Sequence, residues 1–319
     1  MSGSQVVLGA TGGIGSAVVR ELVARGGHVV AVARRPLPES APGAEWRAAD
    51  VSSATGALEA CAGASVVYHC AQPAYTRWQQ EFPALNNAVL AGTEAAGARL
   101  VFADNLYMYA PADGALTEAT PEEPVSRKGR LRRAMARRLL EAHATGRVAV
   151  TIGRASDYYG PGGVGSVAGA VTFDAALKGG TARWPATLDM PHALHYVDDV
   201  ARGLITLADS PDAYGSAWLL PTVTAPTARA ILTEVFRAAG TTPKMAATPK
   251  LLMRLAGVRF PEARELPDIW HQYERPWLVD ASSFEAAFGP LDLTPLDTGV
   301  EAAVQWFRAR QGIGRHVTQ

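Results

Sequence analysis

Between a short apolar run, Gln5 to Gly9, and a helix-like stretch, Gly15 to Arg25, stands the segment Gly9-Ala10-Thr11-Gly12-Gly13-Ile14-Gly15. Nothing else in the chain restricts its folding as strongly. Glycines permit a tight turn and let backbone N–H groups approach a pyrophosphate, while the N-terminus of the following helix favours negative charge. A glycine-rich turn alone is common. One placed between the first strand and the first helix of an α/β chain reads as a phosphate cradle. Gly9, Thr11, Gly12, Gly13, Ile14 and Gly15 are the expected cofactor contacts there.

The remaining pattern agrees with that placement. Gly26-Gly27 ends the helix, and apolar runs follow at His28 to Ala33, Ser65 to Ala71, Arg99 to Ala103 and Val148 to Ile152. Helix-length segments, about 84–96 and 127–144, lie between the later runs. Short continuous apolar strands alternating with helices specify an α/β fold, a Rossmann-type doubly wound parallel sheet covered on both faces. From about Tyr158, loops rich in Gly and Pro and longer helices dominate, with one strand-like run at Ala217 to Leu220. This part reads as a smaller, more helical C-terminal substrate domain.

Composition narrows the partners. Thirty basic residues balance thirty acidic ones, which argues against nucleic acid and anionic membranes as partners and leaves a small-molecule substrate. The two cysteines, Cys61 and Cys70, cannot form a disulfide framework, and a reducing compartment fits. The N-terminus lacks the features of a signal peptide, and no apolar run approaches the roughly 18 residues of a membrane span, so a cytoplasmic protein is expected. The second strand ends in Arg34-Arg35, with no carboxylate before Glu39. An acidic residue there would bind the ribose hydroxyls of NAD, whereas two guanidiniums suit the 2′-phosphate of NADP. NADP is therefore the expected cofactor, ahead of NAD.

The spacing GxxGxxG resembles the extended short-chain dehydrogenase/reductases, in particular the NAD-dependent epimerase/dehydratase family, and the likeness runs along nearly the whole chain. Asp50-Val51 resembles the family's adenine-contacting Asp after the third strand. His69-Cys70-Ala71 falls where the fourth strand ends beside the cofactor. Asn87, in the run to Thr93, resembles the family's Asn-Val-x-Gly-Thr helix. Arg154 with Tyr159-Gly160-Pro161 resembles its Arg-Pro…Tyr-Gly-Pro segment, which would set Ser156 to Tyr158 beside the nicotinamide. Tyr196-Val197-Asp198-Asp199-Val200 resembles the segment that returns to the first domain, and Asp280 with Phe284 to Gly289 matches the family's ending. The resemblance thus implies Asp50, Val51, Cys70, Ala71, Asn87, Ser156 and Tyr158 as further cofactor contacts. It divides the chain into a dinucleotide-binding domain, 1–156 plus a return segment of about 192–222, and a substrate domain, about 157–191 and 223–319. It also allows a homodimer.

The family's chemistry rests on Ser/Thr followed by Tyr-x-x-x-Lys, and here the pattern breaks. Asn105 takes the hydroxyl position, Lys128 replaces the tyrosine and Arg132 the lysine. Lys128 and Arg132 lie one helical turn apart on one face. Lys128, among like charges, is the expected proton donor or oxyanion stabiliser. Arg132 is expected to hold ribose hydroxyls and Asn105 to orient the substrate oxygen. A substitute phenol among Tyr75, Tyr107, Tyr109, Tyr158 and Tyr159 is the competing reading. No metal pattern occurs among the histidines. His192 stands where nucleotide-sugar epimerases carry an arginine that grips phosphate, which weakens a nucleotide-sugar reading. Trp184, Trp218, Trp270, Tyr273 and Trp277 lean toward an apolar or aromatic substrate. The expected activity is that of an NADP(H)-dependent oxidoreductase or isomerase on a small carbonyl or alcohol. A non-catalytic NADP-binding sensor and a non-redox isomerase or cyclase remain alternatives.

Overall fold

The computed structural model describes residues 3–35, 43–223 and 225–316. The first half runs β1 (Ser4–Leu8), α1 (Gly13–Ala24), β2 (Val29–Ala33), β3 (Glu45–Ala48), α2 (Ala54–Cys61), β4 (Ala64–His69) and α3 (Trp78–Ala95). It continues through β5 (Arg99–Asp104), β6 (Ala115–Leu116), α4 (Arg127–Ala144) and β7 (Val150–Arg154). The second half contains β8 (Asp157–Tyr159), α5 (Ala170–Leu177), β9 (Ala182–Pro185), β10 (Leu194–Tyr196), α6 (Val197–Asp209) and β11 (Ala217–Leu219). After these come α7 (Ala228–Ala239), β12 (Met245–Thr248), α8 (Lys250–Ala256), α9 (Pro261–Glu265), β13 (Leu278–Val279), α10 (Ser282–Phe288) and α11 (Leu296–His316).

Seven parallel strands form the central sheet in the order β11-β7-β5-β4-β1-β2-β3. Strand order reverses beside β1, so a crevice opens between the carboxyl ends of β1 and β4, where α/β sheets bind their ligands. The central strands are buried because both faces are covered. α2, α3 and α4 pack one face through Phe82, Leu85, Val89, Met135 and Leu139, and α1 and α6 pack the other through Val18, Leu22, Val200 and Leu204. Edge strand β3, Glu45-Trp46-Arg47-Ala48, is largely exposed and carries no apolar run, which is why periodicity passes over it. Helix α3 begins at Trp78 and continues through Pro83, six residues ahead of the boundary expected from the sequence.

A third apolar cluster gathers Phe173, Trp184, Leu232, Phe236, Tyr273 and Phe307 from the later elements, with Phe173 and Phe307 stacked at 4.7 Å. Two short parallel pairs, β8 with β10 and β9 with β12, bind these segments together. The β8–β10 pair sets Asp157, Tyr158 and Tyr159 opposite Leu194, His195 and Tyr196 at the rim of the crevice.

Close packing of α1 on β1 depends on Gly15, since a Cβ there would lie 2.3 Å from the Gly9 carbonyl oxygen. Gly15→Ala is expected to force the helix off the strand at a cost of about 1–3 kcal/mol. Thermal unfolding checks this, and an unchanged Tm would show that the helix has room to move.

Candidate functional site

A cleft of about 820 Å³ occupies the carboxyl ends of the strands. Its walls are the glycine loop after β1, Arg34 after β2, Asp50 to Ser52 after β3, Cys70 to Tyr75 after β4, Asp104 to Tyr107 after β5, and Ser156 to Tyr158. Gly9 has φ of +77° and passes so close to Ala71 that a Cβ would stand 2.7 Å from its Cα. Gly12 caps α1 without a side chain, and a Cβ there would meet only the Gly9 carbonyl oxygen, at 3.4 Å. No acidic residue occupies the first turn of α1. Backbone N–H groups at a positive helix end, with no competing carboxylate, fit a pyrophosphate.

Thr11, Gly13, Ile14, Gly15, Val51, Cys70, Ala71, Ser156 and Tyr158 also line the cleft. Asp50 Oδ1 accepts the Ser52 hydroxyl at 2.7 Å and the Ser52 N–H at 3.1 Å, and these bonds hold its carboxyl below the usual range. Burial pushes the Cys70 thiol up to about 12, so this cysteine is a neutral wall residue. Two expected contacts are corrected. Arg34 reaches the cleft, but Arg35 is exposed and does not line it. Asn87 is exposed as well: α3 turns Phe82, Leu85, Asn86 and Val89 inward, so the buried asparagine is Asn86.

Asn105 and Arg132 lie in the cleft wall. The Tyr107 N–H donates to Asn105 Oδ1 at 3.1 Å. That bond fixes the amide's orientation and leaves its NH₂ as a donor. Arg132 is 3% exposed. Its Nε donates to Asp104 Oδ1 at 2.7 Å, and its Nη2 donates to the Ala103 carbonyl at 3.1 Å. Its guanidinium sits about 5 Å from the ring centres of Phe82 and Phe102. Asp104 also accepts from Arg154 Nε at 3.3 Å. Arg154 in turn donates to the Tyr109 hydroxyl at 2.7 Å and to Glu122 at 2.6 Å.

Lys128 is not in the cleft wall, contrary to the sequence expectation. It is 2% exposed, and its Nζ donates to Glu265 at 2.6 Å and to the Tyr75 carbonyl at 3.0 Å. The ammonium also lies 4.3 Å from the centre of the Tyr75 ring. One turn of helix separates it from Arg132, far enough to carry it beneath the Tyr75 segment and against α9. Glu265 stands 137 residues away in sequence, so no local pattern announces the pair.

The cleft gains residues that the sequence reading treated as secondary or passed over. Tyr75 and Tyr107 face each other with their hydroxyls 3.3 Å apart. Burial pushes both phenols well above their ordinary range, and Tyr158 up to about 12. Tyr109 belongs instead to the Arg154 network, and Tyr159 packs on Tyr196. Asp157 lines the cleft beside them; its Oδ2 accepts the Tyr273 hydroxyl at 2.9 Å and meets His192 Nε2 at 2.9 Å. Trp184, Trp270 and Trp277 are 2% exposed core residues outside the cleft wall. Its aromatic side is instead Tyr75, Trp78, Phe82, Tyr107 and Tyr158.

The family model for the NAD-dependent epimerase/dehydratase family matches residues 5–218, and the chain belongs to that family of nicotinamide-dependent enzymes. No curated protein matches the sequence. Solved structures share the fold. MoeE5 in complex with UDP-glucuronic acid and NAD is 23% identical with a TM-score of 0.76, over 96% of this chain and 98% of that one. UDP-glucose 4-epimerase of Thermus thermophilus, in complex with NAD, is 22% identical with a TM-score of 0.73, over 96% and 99%. UDP-glucuronic acid 4-epimerase from Bacillus cereus, in complex with NAD, is 16% identical with a TM-score of 0.75, over 96% of each chain.

Two substitutions separate the cradle from the scaffold. Gly12→Ala projects a methyl group into open cleft, so it should weaken dinucleotide binding in a fluorescence titration and leave Tm unchanged. Lys128→Met leaves Glu265, 15% exposed, without its cation. It should cost about 3 kcal/mol of stability, with dinucleotide affinity unchanged and stability partly restored by adding Glu265→Gln. A stable Lys128→Met chain that had lost its affinity would reverse this assignment.

Proposed function

We propose that this member of the NAD-dependent epimerase/dehydratase family is an NADP(H)-dependent oxidoreductase or epimerase. Its substrate is the alcohol or carbonyl of a small molecule at the tyrosine-rich end of the cleft. The observation that carries the reading is the open N-terminus of α1 at Gly12, facing a cleft whose β2 end presents Arg34 and, among the described residues, no carboxylate. Arg34 meets the 2′-phosphate, with Arg35 adding long-range charge from the surface. When bound, the dinucleotide supplies or accepts hydride.

The chain's own residues do the rest. Arg132, held rigid by Asp104, offers its guanidinium edge to the nicotinamide ribose. Asn105 donates its free amide hydrogens to the substrate oxygen, and Tyr75 and Tyr107 remain neutral hydroxyl partners. The wall of Tyr75, Trp78, Phe82 and Tyr107 suits a substrate with apolar or aromatic surface. The UDP-sugars of the structural neighbours are not carried over, because the position expected to grip a substrate phosphate is His192, buried against Asp157. On this reading, residues 1–156 with about 192–222 hold the dinucleotide, and 157–191 with 223–319 close over the substrate.

Fluorescence titration with NADPH and NADH tests the proposal, and NADPH is expected to bind more tightly. A charge-assisted hydrogen bond contributes about 1.5–3 kcal/mol, so Arg34→Glu should lower NADPH affinity about 10- to 100-fold and change NADH affinity little. Arg132→Met should weaken both cofactors. Equal affinities for NADPH and NADH in the unaltered chain would remove the NADP assignment.

A further inference from the structure

The hydrogen-bond pattern around His192 fixes its protons. Its Nδ1 lies 3.1 Å from the Gln272 carbonyl oxygen, and a carbonyl only accepts, so Nδ1 carries hydrogen. Its Nε2 lies 2.9 Å from Asp157 Oδ2, which is an acceptor when ionised. A neutral imidazole with hydrogen on Nδ1 would point a lone pair at that carboxylate. One more proton must therefore sit between the two side chains. Oδ2 already accepts the Tyr273 hydroxyl at 2.9 Å, and a carboxylate oxygen that accepts from both neighbours satisfies the pattern, so the proton belongs on His192. His195, on the neighbouring strand β10, shows the opposite case. Its Nδ1 accepts the Ser156 N–H at 3.2 Å and its Nε2 donates to the Leu220 carbonyl at 2.9 Å, which satisfies a neutral ring. Burial draws His195 down to about 4.

The pair is built into the fold rather than laid on its surface. His192 and Tyr273 side by side are 2% and 3% exposed, with their rings stacked at 5.1 Å and Trp184 edge-on to the imidazole. Only Asp157 reaches the cleft, where it stands between Ser156 and Tyr158 and acts electrostatically on Tyr75, Tyr107 and Tyr158. These phenols, Tyr273, neutral His195 and the guanidinium of Arg132 near Tyr107 are the titratable and charged groups around it. Asp157 thus sets a carboxyl group beside these phenols at the cleft wall.

Resting on the cofactor reading above, we propose that Asp157 is the catalytic base and acid of the reaction and that His192, as its imidazolium partner, is the positioning residue that keeps it ionised and aligned. In oxidation, the substrate hydroxyl gives its proton to the cleft-facing oxygen of Asp157. The carbon gives hydride to the nicotinamide, and the O–H electron pair becomes the second carbon–oxygen bond. The proton on Asp157 then returns to the product oxygen in the reverse step, or leaves to solvent. Alcohol and NADP⁺ thus become carbonyl, NADPH and one proton.

Long-range ¹H–¹⁵N spectra of the histidine side chains test this without a substrate, with His192→Gln identifying the resonance. With NADPH bound, His192 should carry hydrogen on both ring nitrogens, and Asp157→Asn should convert it to a singly protonated ring. On the proposal, replacing NADPH by saturating NADP⁺ changes the charge that Asp157 faces, and the side-chain ¹⁵N resonances of His192 should shift between the two loaded forms. A pair that merely braces the fold would not sense the redox state of the cofactor. A singly protonated His192 in the unaltered chain, or identical His192 resonances in the two loaded forms, overturns the proposal. Absence of NADP(H) binding by fluorescence would instead remove the reading on which it rests.

Discussion

One carboxylate, Asp104 at the end of β5, ties the sheet to the helix that carries the family's usual catalytic pair. It is fully buried and takes two guanidiniums, Arg132 from α4 and Arg154 from β7, with Glu122 supplying the second negative charge. Removing any member would leave a charge stranded in a low-dielectric interior, which is far costlier than the pair is stabilising. Asp104 also accepts the Asn105 N–H at 2.8 Å, so the same oxygen that locks Arg132 begins the turn presenting Asn105 and Tyr107. Electrostatic closure of this cluster therefore determines the shape of the cleft floor.

That closure separates two jobs that a Tyr-x-x-x-Lys motif combines on one helix. Arg132 retains a cation where the lysine would stand, but as a rigid fork rather than a mobile ammonium. Lys128, one turn earlier, has become a strut: its charge is spent on Glu265, and its backbone N–H donates to Asp268 at 3.0 Å. Its cation over the Tyr75 ring holds the segment after β4 against α9.

The fold was legible because it is written in local terms. Apolar runs, a glycine turn and helix-breaking glycines are properties of neighbouring residues, and they located six of the seven sheet strands. The seventh, β3, is amphiphilic and exposed, so its pairing with β2 supplies the order that its sequence lacks. The cradle was legible for the same reason. The chemistry was not, since Asp157 meets His192 across 35 residues, Lys128 meets Glu265 across 137, and Tyr75 meets Tyr107 across 32. Spacing can place Lys128 and Arg132 on one helix face but cannot show that the cleft wall takes in the second and not the first. Asn87 failed on a finer point, because its neighbour Asn86 satisfies the helical period.

The short ladder between β8 and β10 has a bearing on how this chain can diversify. Parallel pairing fixes Asp157 opposite Leu194, two residues from His192, whatever lies between the two strands. Exposed positions in the span from Pro161 to Pro191, such as Val171, can change their side chains while the register stays in place, whereas Phe173 and Trp184 cannot, and a one-residue slip would turn Tyr159 and Tyr196 out of the same apolar cluster. Descendants of this sequence are free to vary that outer surface without rebuilding the pair of side chains at the cleft wall.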